Sequence, residues 1–485
     1  MVVSGYLRDD SRRTMTRNLT TILVALAVAA CAAAPADAAK RFTIRGAGFG
    51  HGVGMSQYGA MGYASHGWDY KAILRHYYTG TGLGVLKEPR DVRVLLQSTT
   101  GSAAFSGASR AGGRTLSPAR TYYARGRAGG QVQLLSASGR SLAVVAAPLR
   151  ATGPGLLTLK GRAGNGRTDG SYRGALEFRG GTFGGVNAIN ALPVDEYVKG
   201  VIPLESPASW PIEALKAQAV AARTYALTTS KGGDGFEHYP DTRSQVYGGA
   251  SAEQPSTNLA ADQTAGQLVT YEGTPVPTYF FSTSGGRTED VENTTLGTEP
   301  KPWLRSVEDD YDSVSPKHRW GPLRMSYASA GAKLRGLVNG SFRGVKVIRR
   351  GSSPRIVEAE VVGSRGRTRV DGATLRARFA LNDTWAFFTS IKTRPTPPPP
   401  ATPDPGTGGA VPLVARVPDI AGLAGRVIPA RVGATVAIER LTGGRWVTVG
   451  GAKVRRGGRY RTGVPAPGLY RVRHRGETGP GVGVH

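Results

Sequence analysis

The chain of 485 residues has one cysteine, Cys31, so it can form no internal disulfide and no cysteine-based metal cluster. Acidic residues are scarce as well. There are 34 Asp and Glu against 62 Lys and Arg, a net charge of +28. No zinc-finger spacing, basic zipper or compact polybasic run accompanies that excess. The 69 glycines lack the period of three that a collagen helix requires. Long apolar runs are missing except for Leu19 to Ala34, which is short for a bilayer span. A hydrophobic share of 40% allows a folded core, and the length suggests about three domains. The positive charge admits three classes of partner: nucleic acid, anionic lipid or an acidic envelope polymer.

The first residues decide among these. Arg12, Arg13 and Arg17 precede the apolar run, and Ala36-Asp37-Ala38 offers a small-x-small cleavage site. Residues 1–38 therefore read as a secretory signal peptide. Val28-Ala29-Ala30-Cys31 also resembles a lipoprotein processing site, so a membrane anchor is expected only if Cys31 is lipidated. Either route puts the protein outside the cytoplasm, secreted, and argues against nucleic acid as its main partner.

Past the signal, Arg41 to Arg45 alternates like a strand and leads into a loop with glycines at 46, 48, 50, 52 and 54. Helices are expected around Tyr58–Ala64 and from Tyr70 to Tyr78, the second capped by Asp69 and facing inward through Ile73, Leu74 and Tyr77. Residues 91–185 read as a β-rich subdomain or insert, with 104–130 weakly patterned. Pro193, Asp195 and Glu196 open a short helix, and Pro203 and Pro207 are expected to break it. Pro211 then opens a long helix from Ile212 to about Thr228, buried along Leu215, Ala219, Ala222 and Ala226. Strands are expected at Gly266–Tyr271, Pro277–Ser282, Val345–Arg350, Ile356–Val362 and Thr368–Val370, and a short helix at Leu375–Phe379. Trp385, Phe387 and Phe388 should close the core. Residues 391–412 form a Pro-rich linker, and 413–485 a small β-sandwich marked by Val427, Val436, Ile438, Trp446, Tyr460 and Tyr470.

The chemistry points to Glu205. With the helix broken, Glu205 falls in a turn among Ile202, Pro203, Leu204, Pro207 and Trp210. Such apolar surroundings strip solvent from a carboxyl and raise its pKa, as a proton donor for glycosidic cleavage requires. The alternative reading of the same residue is a solvated loop glutamate or a helix-end cap. Asp195, Glu196, Glu289 and Asp290 are candidates for a second carboxylate, and capping accounts for them as well. A one-acid mechanism avoids that need, because the sugar's own 6-hydroxyl can attack the anomeric carbon. In the glycine loop, His51, Ser56 and Gln57 supply polar groups suited to sugar hydroxyls or to orienting Glu205. Tyr58, Trp210, Tyr225 and Tyr247 could stack on sugars or pack in the core. His51, His66 and His76 lack a metal-ligand spacing, and no cofactor motif is present.

Three segments carry a resemblance. Leu192-Pro193-Val194-Asp195-Glu196-Tyr197 through Glu205-Ser206-Pro207 to Pro211–Ala226 resembles the SpoIID/LytB family. So do Tyr279 to Glu289 and Gly50 to Ala60, the latter followed by Ile73 to Thr81. The resemblance spans residues 42–390 and implies an α+β, SpoIID-like catalytic domain with the β-rich subdomain inside it and an immunoglobulin-like β-sandwich behind it. It implies a peptidoglycan lytic transglycosylase that cleaves between N-acetylmuramic acid and N-acetylglucosamine and leaves 1,6-anhydro ends, with Glu205 as acid and then base. It also implies the alternative of a non-catalytic enhancer of a wall amidase; sporulating relatives act on the engulfing septum. By position in the motifs, Arg223, Tyr225, Ser284 and Gly285 join His51, Ser56, Gln57 and Tyr58 as substrate-binding candidates. The segment containing His51 usually follows the Ser284-Gly285 segment; here it comes first, as in a circular permutation. Family members with zinc use a cysteine near the counterpart of His51, and none stands there here, so no metal is expected. The resemblance implies a cell-wall location with peptidoglycan strands and a wall amidase as partners, and the charge of +28 fits attraction to acidic teichoic-type polymers.

Overall fold

In the computed structural model, the described residues are 41–181, 185–391, 422–426, 432–442, 445–456, 459–464, 466, 468–474, 477–478 and 482–484. The signal segment, Cys31, the Pro-rich linker and Val427 lie outside them. Two compact units divide at Pro397/Pro398, and the fold is mixed α/β with several sheets.

In the first unit, the weakly patterned stretch folds as short strands joined by turns. One six-stranded sheet runs in the order Ser141–Ala146, Gln131–Leu135, Tyr122–Arg127, Ser102–Ser106, Leu157–Arg162, Thr168–Tyr172. A second runs Asp91–Thr99, Val186–Pro193, Ala175–Gly180, Leu149–Thr152, Arg110–Ala111, Arg114–Thr115. The alternation at Val92, Val94 and Leu96 buries all three side chains. Phe105 of the first sheet meets Phe178 of the second with ring centroids 4.9 Å apart, and both are fully buried. Burying one such ring contributes roughly 1.5–3 kcal/mol. The weak pattern reflects Gly and Arg turns closing two-residue strands, which show no period.

Five helices frame the site. They are α1 (Gln57–Ser65), α2 (Tyr70–Tyr77), α3 (Val194–Glu205), α4 (Ile212–Thr228) and α5 (Pro255–Gln263). Asp69 caps α2 through the Ala72 amide at 2.7 Å, as its sequence indicates. Helix α4 buries more than the expected stripe. Leu215, Ala219, Ala222 and Ala226 pack on the core of the β-sheets, while Ala217, Val220 and Ala221 pack on α1 and α2. A helix buried on both faces can be this alanine-rich because small side chains let neighbours approach closely.

The expected break at Pro203 does not occur. Helix α3 runs through it to Glu205 and ends at Ser206, which is extended ahead of Pro207. A proline near a helix C-terminus costs one backbone bond, here that of the Lys199 carbonyl, and the remaining carbonyls find other donors. Gly200 accepts from the Gly248 amide at 2.9 Å, and Ile202 accepts from Ser206 at 2.8 Å. Only glycine fits at 200, since a Cβ there would lie 2.6 Å from the Tyr247 ring.

Gln267–Tyr271 lies between Gly82–Val85 and Thr274–Pro275 in a small sheet. The remainder of the unit is a three-stranded sheet in which Arg41–Ala47 lies between Arg319–Ser326 and Ala386–Ile391, and a second formed by Phe342–Arg350, Ile356–Gly363 and Gly366–Asp371. Helices α6 (Tyr327–Lys333) and α7 (Gly372–Phe379) cover them. Two expectations fail here. The strand at 277–282 shrinks to Phe280–Phe281, which pairs in parallel with Met55–Ser56. Phe387 is 48% exposed and lies under the Arg350 guanidinium at 4.5 Å, because strand alternation turns it away from the side that buries Ala386 and holds Phe388.

The second unit contains a sheet built from Arg445–Lys453, Thr435–Thr442, Gly468–His474, Glu477–Thr478 and Val482–Val484, and a two-stranded ribbon of Gly422–Arg426 with Arg459–Gly463. Leu423, Val436, Ile438 and Tyr470 form its core. It is β-rich, as expected, but a closed immunoglobulin-like sandwich is not established.

Candidate active site around Glu205

Glu205 is the last residue of α3. The Gly248–Gly200 bond docks the 245–248 loop onto the final helical turn, and this brings the Val246 amide to Glu205 Oε1 at 2.9 Å. On the other side, Gln57 at the start of α1 donates through Nε2 to Glu205 Oε2 at 3.3 Å. Burial raises the Glu205 pKa above the ordinary glutamate value, and these two hydrogen bonds only partly oppose it. Tyr197 and Tyr225 sit near enough for the Glu205 charge to help raise their own pKa values, after burial; that of Tyr225 reaches about 12.

The other carboxylate candidates are committed elsewhere. Asp195 accepts from Arg223 Nε at 2.6 Å and from the Gly266 amide at 3.2 Å. Glu196 pairs with Lys199 and Arg173 at 3.1 and 3.2 Å. Glu289 is fully buried and accepts from Asn293, Ser352 and Ser353. Asp290 pairs with Arg305 at 3.0 Å. Among the described residues, no group of three or more His, Cys, Asp or Glu is placed to hold a metal ion.

The sequence candidates divide into two sets. Gln57 reaches Glu205 directly. Tyr58 follows it and meets Trp210 edge-on at 5.0 Å, with both rings half-buried. His51 turns elsewhere. Its Nδ1 accepts from the Val53 amide at 3.1 Å, so Nε2 carries the proton and donates to the Phe280 carbonyl at 3.0 Å. Burial lowers its pKa to about 4, which keeps it neutral. It braces the glycine loop against Phe280. Arg223 is fully buried and donates to Asp195, Gln267 and Ala261. Tyr225 is 7% exposed.

Ser56, Ser284 and Gly285 converge on a residue that the sequence reading did not single out. Asp312 Oδ1 accepts from Ser56 Oγ at 3.3 Å and from the Ser284 amide at 3.1 Å. Its Oδ2 accepts from the Gly285 amide at 2.7 Å and pairs with His318 Nδ1 at 2.9 Å. Gly285 has φ +78 and lies against Ala47, so a side chain there would clash. Ser56 in turn caps α1 through the Gly59 amide at 3.1 Å. Asp312 thus fixes the start of the helix that presents Gln57 to Glu205. The acidic run Glu308-Asp309-Asp310-Tyr311-Asp312, unusual in so basic a chain, was the available signal.

Beside Asp312, Asp309 is buried and neither of its oxygens makes a well-formed hydrogen bond, although Tyr77, Ser56 and Ser284 lie alongside. Burial, then the Asp312 charge, raises its pKa from 3.8 to about 7. The folded state therefore binds more protons than the unfolded state between those values, and stability falls as pH rises through that window. Asp309→Asn should flatten this slope and leave the variant more stable than the parent at about pH 8, by on the order of a few kcal/mol. Urea unfolding at about pH 5 and about pH 8 reads the effect, and equal slopes in both proteins would contradict it.

Known proteins match part of this region. Residues 182–271 match the family model described as Stage II sporulation protein. The chain is 42% identical over 116 residues to the amidase enhancer of Bacillus subtilis, which is 24% of this chain and 15% of that protein. It is 36% identical over 149 residues to the Stage II sporulation protein D of Bacillus subtilis, covering 27% of this chain and 43% of that protein. An uncharacterized protein of Brachyspira hyodysenteriae is 42% identical over 108 residues, 29% of its length. The link is at family level, to SpoIID and amidase-enhancer proteins. In each of these relatives the chain spans less than half the length, and the family-model match holds α3, Glu205, α4 and Val246 while ending before Tyr279.

Proposed function

We propose that the protein is exported and acts on bacterial peptidoglycan as a lytic transglycosylase, cleaving between N-acetylmuramic acid and N-acetylglucosamine. Glu205 gives its proton to the leaving glycosidic oxygen as the C1–O bond breaks. It then accepts the proton of the 6-hydroxyl as that oxygen bonds to C1, which closes the 1,6-anhydro ring and consumes no water. The observation that carries this reading is a buried carboxyl at the end of α3 whose pKa burial raises, while the other candidate carboxylates are bound up in ion pairs and hydrogen bonds. Gln57 orients it, and the half-buried Tyr58–Trp210 pair offers aromatic surface for sugar rings. The 49–56 loop lies beside 280–285, which brings the two motif segments together. The basic surface and the C-terminal β-rich unit would hold the protein on anionic wall polymer.

A second reading, a non-catalytic partner that enhances a wall amidase, is favoured by the relative that bears that name. The names of the relatives support this reading better than the first, since none refers to glycan cleavage. Purified glycan strands separate the two. On the first reading the protein alone releases anhydro-ended fragments, and Glu205→Gln does not. On the second the strands stay intact, and adding the protein speeds stem-peptide release by an N-acetylmuramoyl-L-alanine amidase.

A further inference from the structure

A cavity of about 540 Å³ lies between the glycine loop and α7, and neither Glu205 nor Gln57 lines it. Its apolar wall includes Ile356, Ala373 and Leu381, and two arginines reach it. Arg355 is saturated. It makes two 2.9 Å bonds to Asp383 and donates its other hydrogens to the carbonyls of Arg287 and Ser284 and to Ser353 Oγ. Arg376 is different. Nη1 donates to the Gly50 carbonyl at 2.8 Å and Nε to the Leu381 carbonyl at 3.3 Å, and among the described residues no carboxylate forms an ion pair with it. His51, on the same wall, is neutral and brings no counter-charge.

The Asp383 charge acts on Arg376 from a distance, but Asp383 is ion-paired to Arg355, whose own charge opposes that of Arg376. A partly desolvated guanidinium with no ion-paired carboxylate is costly, and an anion at its free edge offsets that cost. Asp371 and Glu292 also line the cavity; Asp371 accepts from the Thr374 amide at 2.6 Å, and Glu292 pairs through Oε1 with Arg305 at 2.7 Å while its Oε2 makes no hydrogen bond. Their charges oppose a multiply charged ligand. The volume falls within the range of small-molecule sites.

We propose that this cavity binds a singly charged carboxylate with a small apolar body, such as the free C-terminus of a short peptide, with the carboxylate on Arg376. Because Arg376 also holds the Gly50 carbonyl, occupancy is felt by the loop that leads to Gln57. The proposal does not depend on what Glu205 does.

The test is isothermal titration of the full chain with N-acetyl-Ala-Ala, its C-terminal amide, acetate and inorganic phosphate. The free acid should bind about tenfold or more tightly than the amide, and Arg376→Gln should lose about tenfold or more. Ala377→Phe, which fills the cavity and leaves Arg376 in place, should lose binding as well; Glu205→Gln should retain it. Acetate binding as tightly as the peptide assigns the site to small acids, and a strong preference for the peptide assigns it to peptide ends. Equal binding of acid and amide, tighter binding of phosphate, no binding at all, or binding unchanged in both cavity variants would overturn the proposal.

Discussion

Glu205→Gln should lower glycan-strand cleavage by roughly 10²–10⁴-fold, the usual contribution of a positioned proton donor. The substitution preserves shape. The glutamine carbonyl can still accept from the Val246 amide, which otherwise approaches the carboxyl at 2.9 Å, and the side chain remains at the end of α3. What is lost is the capacity to carry and give a proton, which burial favours by raising the pKa. Unfolding should therefore change little while the rate collapses. The parent's rate should also fall as pH rises through the raised Glu205 pKa, because only the protonated form can act as the acid. Mass analysis of fragment ends, together with urea unfolding of the same samples, measures both quantities. A variant as active as the parent removes Glu205 from the chemistry, and strands left intact by both proteins leave the amidase-enhancer reading.

Arg355→Met should destabilise the first unit by about 3–5 kcal/mol, because it strands a buried charge. Arg355 and Asp383 are 1% and 0% exposed and share two hydrogen bonds. Without the guanidinium, Asp383 keeps only the Trp385 amide, and the Ser284 carbonyl loses its 2.8 Å donor. The double change Arg355→Met with Asp383→Leu should recover part of the loss, since removing both partners of a buried pair costs less than removing one. Denaturant midpoints of the single and double variants check this. A single variant within about 1 kcal/mol of the parent would show that the pair is not buried as described. Because Ser284 also meets Asp312, the single variant should weaken the Ser56 cap and the placement of Gln57.

The sequence disclosed the helices best where caps and periods agree. Asp69 and the apolar stripe marked α2, and Pro211 with the alanine run marked α4. Helices α5 and α6 went unseen because Ser, Thr, Asn and Ala give them little apolar periodicity. The run at Pro203 misled because a proline is read as a break, while near a helix end it removes one bond that tertiary contacts and solvent can replace. At the site, Glu205 and Gln57 were legible as side chains. Val246 was not, because it contributes a backbone amide, which has no residue signature. Asp312 was not, because its partner Ser56 is 256 positions away and only the folded chain joins them. His51 was placed with Glu205 on the strength of its loop, but burial of its ring and the Phe280 carbonyl hold it elsewhere.

The most direct measurement is a carbon-13 NMR titration of the Glu205 carboxyl in the folded protein, repeated in Gln57→Leu. Burial predicts a midpoint above the ordinary value of 4.5, and a higher one still in the variant, which loses a donor to the charged form. A midpoint at or below 4.5 would contradict the account, because burial would not be favouring the protonated acid, and a raised midpoint indifferent to Gln57 would remove Gln57 from the site.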